Sequence, residues 1–365
     1  MTSPTRSDEK GPGAGHGDDP LARPAVERAD PSGMIDDVVA QPAHLREALA
    51  LLRDMELPGG DFPGGLVVCG IGGSALAGEI AAAIIGSRAH RPLQTVRGYR
   101  PEPWVGRGTF VFCPSYSGNA DTTLEYFAAA HAAGATVVGL TSGGRLAELA
   151  DRRGLPLVRV PAGSQPRTMT SFSIVTALCL ATAAEAGPDL RDEVADAADF
   201  LDELVREWGP EAPADSLAKS LARALHETPV MIYGSGPTTP VAHRWKTQLN
   251  ETGKKVAFSS ELLEADHHEL CTWGHLRDPG SWAGIFLENR ADQHPRAVRR
   301  MELTAEIIAD TGAPTHWVSA RGATRAQRIL SLVLLADFVS VYTAALSKVD
   351  PSDIELISRL NRLVG

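Results

Sequence analysis

The sequence predicts an α/β protein of two domains, each a parallel sheet flanked by helices. Three observations carry that prediction. Short apolar runs alternate with helical stretches in two blocks, over 66–160 and again over 229–320. Small Gly/Ser loops follow directly on the apolar runs at 66–68 and 109–113. The runs are apolar throughout rather than alternating, as strands covered on both faces require.

Residues 1–33 are rich in Pro, Gly, Asp and Ser and contain no aromatic. They read as a disordered tail, because so little apolar surface cannot offset the entropy of ordering. The first domain is placed at 34–190. It opens with a helix over 42–57 that sets Leu45, Leu49 and Leu52 on one face. Strands follow at 66–70, 109–113, 136–140 and 157–160, and helices at 74–86, 121–133 and 145–153. Residues 168–227 read as mostly helical, with breaks near Gly187 and Pro210, and 191–227 is taken as a helical linker. The second domain, 228–365, begins with PVMIYGSGP, a strand and glycine loop like those of the first. Further strands are expected at 255–258, 283–289 and 315–320, and helices at 299–311, 323–347 and 352–364. The second glycine loop has no SxSG companion, so the halves are not expected to be equivalent.

The bulk properties exclude some classes. A net charge of −10 argues against a large nucleic-acid surface. Cys69, Cys113, Cys179 and Cys271 are far apart without CxxC spacing, which reads as free thiols and a reducing, cytoplasmic setting. The polar N-terminus, which lacks an apolar run, is not expected to act as a signal peptide. No stretch is expected to span a membrane.

The two Gly/Ser loops are CGIGGSALAG (69–78) and PSYSGNADTT (114–123). Glycines let backbone N–H groups approach an anion, and serines add hydroxyl donors, so the pair reads as a phosphate site. The alternative for any one serine is a helix N-cap. A P-loop is absent, and GIGGS lacks the acidic residue that a dinucleotide fingerprint needs about 20 residues on.

Glu251 ends VAHRWKTQLNE, where Val241, Trp245 and Leu249 form an apolar stripe between Pro240 and Gly253. At a helix C-terminus the dipole is unfavourable to a carboxylate, a setting that suits a proton carrier. A solvated surface glutamate is the competing reading. His267 and His268 precede Glu269, but consecutive residues cannot face one ion from a helix or strand, so no metal is assigned.

GIGGS (70–74), SYSGN (115–119), TSGG (141–144), QPR (165–167), RWKTQLNE (244–251), EADHHEL (264–270), LLADFVSVYTA (334–344) and VDP (349–351) occur in that order. Together they resemble the sugar isomerase (SIS) domain family, and more closely its two-domain bifunctional phosphoglucose/phosphomannose isomerases. The resemblance implies two doubly wound, flavodoxin-like SIS domains and a phosphosugar aldose–ketose isomerase working through a cis-enediol, without cofactor or metal. It puts Gly73, Ser74, Ser115 and Ser117 on the phosphate, Glu251 as base, Arg167 on the enediolate, His267 at ring opening and Lys348 in the active site. It implies a homodimer with the site at the interface. Ala120 and His268 stand where the family carries Thr and Asn. A non-catalytic phosphosugar sensor, or an isomerase of another phosphosugar, is the alternative.

Overall fold

The computed structural model describes residues 19–364. Three helices open the chain: α1 (Arg23–Ala29), α2 (Met34–Val39) and α3 (Gln41–Arg53). The expectation of a disordered tail over 1–33 is therefore corrected for 19–33, while 1–18 lie outside the described residues. The reason is packing. Leu21, Val26, Met34 and Ile35 are fully buried, and α1 and α2 dock on a long apolar helix near the other end of the chain.

The first sheet is built from β1 (Leu66–Cys69), α4 (Gly73–Ile85), β2 (Leu93–Val96), β3 (Phe110–Pro114), α5 (Asp121–Ala132), β4 (Thr136–Thr141), α6 (Gly144–Arg153) and β5 (Leu157–Arg159). Its strands are all parallel, in the order β2-β1-β3-β4-β5. The order reverses between β1 and β3, the kind of switch point where loops part and ligands bind. Both Gly/Ser loops leave from those two strands.

Three helices follow: α7 (Thr170–Ala183), α8 (Arg191–Trp208) and α9 (Leu217–Leu225). α8 and α9, within the segment read as a helical linker, pack into the core against α3 and the long C-terminal helix.

The second sheet comprises β6 (Val230–Gly234), α10 (Thr239–Glu251), β7 (Ala257–Glu261), α11 (Leu262–Ala265), α12 (Glu269–Trp273), β8 (Ala283–Glu288), α13 (Pro295–Asp310) and β9 (Thr315–Ser319). Its order is β7-β6-β8-β9, again parallel. The chain closes with α14 (Arg325–Ser347) and α15 (Glu355–Val364).

The strand period distributes the core. Val67 and Val111 point to an outer cluster with Tyr126 and Phe127 of α5. Val68 and Phe112 point inward, and so do Ile232 and Ile285 of the second sheet. Tyr233 and Phe286 face outward, towards Met301 and Ile308 of α13. One central core, holding α4, α7, α10 and α14, thus lies between the inner faces of both sheets. α14 corrects the expectation that no stretch reaches membrane-spanning length: it has 23 residues, and its most apolar 18-residue window has a mean hydropathy of 2.1. Of its most apolar window, 94% is buried inside the protein, so its apolarity serves packing.

Candidate active site

The serine loops sit at the carboxyl edge of the first sheet. Gly73 and Ser74 are the first two residues of α4 and both are half-buried. The free N–H groups and dipole of this 13-residue helix favour an anion there. Ser115 is 5% exposed and its N–H closes the last bond to β4, at Leu140 O (2.8 Å). Ser117 is exposed, and its Oγ accepts from Asn119 N at 3.3 Å. Among the described residues the Ser74 and Ser115 hydroxyls are committed to no protein partner. Thr123 is 1% exposed in the core, which leaves Thr122, half-buried in the first turn of α5, beside the loop.

The TSGG segment clasps SYSGN. Thr141 Oγ1 and Ser142 Oγ both donate to Tyr116 O, at 3.1 and 2.8 Å. Gly118 has φ +68°, and a Cβ there would stand 1.9 Å from Gly143 O; Gly144, at φ +70°, would meet Ser117 O at 2.3 Å. Only glycine fits either crossing.

Arg167 and Glu251 come together across the two halves. Arg167, 5% exposed, lies in the turn before α7 and donates from Nε (2.9 Å) and Nη2 (2.7 Å) to Glu251 Oε1. Its Nη1 donates to Pro351 O at 2.7 Å. Glu251 is the last residue of α10, as expected, and its side chain is 36% exposed. The stripe Val241, Trp245 and Leu249 is fully buried and fixes the helix behind it. Glu251 thus presents a carboxylate to solvent with one oxygen anchored and the other without a partner among the described residues.

Several groups frame this pair that the sequence reading missed. Asp37 of α2 accepts from Gln165 N (3.1 Å) and Thr168 Oγ1 (2.9 Å), bracing the QPR turn. Arg244 of α10, 1% exposed, forms an ion pair with Asp337 of α14, also 1% exposed. Lys254 adopts φ +52° just past α10, a conformation that costs a non-glycine residue roughly 1 kcal/mol. Its ammonium donates to Glu251 O (2.6 Å), Pro351 O (3.3 Å) and Asp353 O. Burial, and then the neighbouring Arg167 charge, lower its pKa below the usual lysine value.

The remaining expected residues are not brought to the pair. His267 and His268 lie exposed between α11 and α12, and His268 faces Glu264 at 3.5 Å. Lys348 caps α14 at φ +54°, exposed, over a hollow of about 380 Å³ lined by Pro20, Ala25, Arg28, Ala29 and Ala345. It stands three positions before Pro351, whose carbonyl Arg167 holds. Among the described residues no three His, Cys, Asp or Glu side chains converge as a metal site. Cys69 and Cys113 are buried, Cys179 is half-buried and Cys271 is exposed; all are free. A larger hollow of about 530 Å³, lined by Glu79, Thr95, His243 and Arg325 among others, contains neither the serines nor the Arg167–Glu251 pair.

Comparison with known proteins adds the family context. A family model described as the bacterial phospho-glucose isomerase C-terminal SIS domain matches residues 214–363. The bifunctional phosphoglucose/phosphomannose isomerase of Caldicellulosiruptor bescii is 31% identical over 81% of this chain and 88% of its own length. That of Aquifex aeolicus is 32% identical over 81% of this chain and 89% of its own. In three dimensions, a hypothetical protein of Thermus thermophilus superposes with a TM-score of 0.71 at 20% identity, covering 95% of each chain.

Proposed function

Because the chain belongs to the family of bifunctional phosphoglucose/phosphomannose isomerases, we propose that it interconverts glucose 6-phosphate and mannose 6-phosphate with fructose 6-phosphate. The observation that carries this reading is the Arg167–Glu251 pair, built from both halves, in a chain whose Ser74 and Ser115 hydroxyls have no partner among the described residues.

In this reading Gly73, Ser74, Ser115 and Ser117 take the phosphate. Glu251 removes the C2 proton of the open-chain aldose and returns it to C1. The carbonyl oxygen at C1 gains a proton and the hydroxyl at C2 loses one, so the cis-enediol collapses to the ketose. Arg167, a forked permanent cation, offsets the charge on the enediolate oxygens. General-base catalysis of this kind contributes about 100-fold or more. Rotation about C2–C3 in the open-chain intermediate would present either face of C2 and give both epimers. No cofactor is needed, since the hydrogen moves as a proton.

Ring opening falls to His267 of the partner subunit in a homodimer. Two features support this assignment. The chain's own His267 is exposed and is not set beside Glu251. α15 leaves Leu356, Leu360, Leu363 and Val364 exposed, an apolar face with no cover in a single chain. Lys348, adjacent to the 349–353 segment that Arg167 and Lys254 hold, stands as a secondary cation at the site's edge.

The test is turnover of fructose 6-phosphate with the aldose products separated, before and after chelation with EDTA. Both glucose 6-phosphate and mannose 6-phosphate should form, at rates that chelation leaves unchanged. Formation of neither, with fructose 6-phosphate still bound, would make the protein a sensor. Loss of activity on chelation with recovery on adding zinc would overturn the mechanism.

A further inference from the structure

We propose that Arg244 is a positioning residue for the isomerase reaction. It fixes the Arg167 turn relative to Glu251, close against the proposed phosphate loop. The inference rests on the functional reading above.

Arg244 and Glu251 lie seven positions apart on α10, two turns and about 10.5 Å along one rigid rod. The Arg244 guanidinium uses its fork in three directions. Nε and Nη2 donate to Asp337 Oδ1 (3.1 Å) and Oδ2 (2.9 Å). Nη2 also donates to the carbonyl of Arg167 at 2.8 Å. Nη1 donates to Thr170 Oγ1 at 3.3 Å, and that hydroxyl itself donates to Arg167 O at 3.0 Å. The backbone of the residue that grips Glu251 is thus held by the helix that carries Glu251. The phosphate loop joins the same cluster: a Cβ on Gly73 would stand 3.3 Å from Thr170 Oγ1 and 3.8 Å from Arg244 Nη1. Asp337 is anchored in turn by Gln41 Nε2 at 2.5 Å.

Stability alone does not call for such a pair. Two charges at 1% exposure lose their hydration, and well-packed apolar residues of similar volume are often as stable or more so. What an apolar pair cannot supply is a fixed donor to Arg167 O. A lysine cannot replace the fork either, because one ammonium cannot reproduce planar, divergent donors.

The experiment compares wild type, Arg244→Lys and the double variant Arg244→Met/Asp337→Leu. The double variant removes both charges together and leaves neither stranded in the core. Loss of position at reacting groups costs up to about 100-fold. We expect kcat to fall at least about tenfold in both variants, KM for fructose 6-phosphate to stay within about threefold, and the double variant to keep a wild-type melting temperature. A folded double variant with wild-type kcat overturns the inference. So does a fall in kcat matched by an equal loss of folded protein. A second measurement needs no turnover: calorimetric affinity for a five-carbon phosphorylated hydroxamate, whose planar group mimics an enediolate, against that for fructose 6-phosphate. Hydroxamate binding should weaken at least about tenfold while sugar binding holds. Equal weakening of both, or of neither, overturns the inference. Absence of turnover in wild type would sink the functional reading instead, and this affinity ratio would still judge Arg244.

Discussion

The two sheets each send a glycine loop from a central strand into a helix, yet only one of these loops is open. After β1, Gly73 and Ser74 start α4 with the serine hydroxyl free of protein partners among the described residues. After β6, the loop fills itself. Ser235 N donates to Thr238 Oγ1 (2.9 Å), and Thr238 Oγ1 donates across to Leu287 O (3.0 Å). Gln293 Nε2 then reaches Ser235 O and Thr238 Oγ1, at 3.2 and 3.0 Å. Thr238 is fully buried and Gln293 is 6% exposed. A loop can serve as an anion site only while its donors remain unspent. The same backbone plan therefore leaves donors open in one half, where we propose the phosphate binds, and makes a brace in the other.

The largest effect expected is at the far end of α10, the helix that follows the braced loop. Glu251→Gln keeps shape and removes the proton acceptor, so kcat should fall about 100-fold or more. Exchange of the C2 hydrogen with deuterated solvent, followed by NMR, should disappear with it. Near-wild-type turnover would end the assignment of chemistry to the Arg167–Glu251 pair.

Next come matched deletions in the two loops. Ser74→Ala and Ser117→Ala should each weaken phosphosugar affinity by about 1–3 kcal/mol, the value of a hydrogen bond to a charged group, with unfolding free energy unchanged. Thr238→Val should do the reverse and cost about 1–3 kcal/mol of stability by leaving the buried Ser235 N–H unpaired, with KM unchanged. Denaturant titration and calorimetry read the two quantities separately. If the receptor variants lose stability and the brace variant loses affinity, the distinction is wrong.

Subunit mixing sharpens the comparison by asking what the second half gives to its neighbour. Equal amounts of Glu251→Gln and His267→Ala chains, exchanged freely, should recover about a quarter of wild-type activity. Half the dimers are then mixed, and each has one intact site of two. No recovery would confine every catalytic group to its own chain.

The smallest effect concerns pH at the braced edge. Burial raises the Asp292 pKa, but hydrogen bonds from Arg328 and Asn289 and the nearby Arg325 outweigh it, so the carboxyl lies below the usual aspartate value. The folded protein then holds this proton less tightly than the unfolded chain. The stabilisation is complete above about pH 4 and is lost as pH falls through the lowered value. The melting-temperature gap between wild type and Asp292→Asn should therefore shrink below about pH 4. A constant gap would show that the carboxylate's charge contributes nothing there.

Much of this was legible in the sequence, for definite physical reasons. β1, β3, β4, β6 and β8 are buried on both faces, so their apolar runs stand out. β2 escaped detection because LQTV is a four-residue edge strand, only partly buried and interrupted by a glutamine. α1 and α2 escaped because their few apolar residues are diluted by polar neighbours and gain meaning only against α14. At the site, Arg167 and Glu251 were readable from short motifs, and the structure joins them. Asp37, Arg244 and Asp337 were not. A charged residue in a helix usually faces water, and burial with a partner far along the chain leaves no local trace. His267 could not be placed by a single chain, because its proposed role lies across a subunit boundary.

The shared core bears on how such a chain can diversify. The Arg167–Glu251 ion pair takes one partner from each half, and the inner faces of both sheets close on the same helices. Recombination that exchanged one half with a distant relative would have to match, at a single crossover, the fit of α10 to the turn before α7 and the seat of α14 between the sheets. Even if the two halves arose by duplication, they are now inherited as one unit, and variation should pass more freely through the exposed α13 surface and the 274–281 segment than through any seam between the sheets.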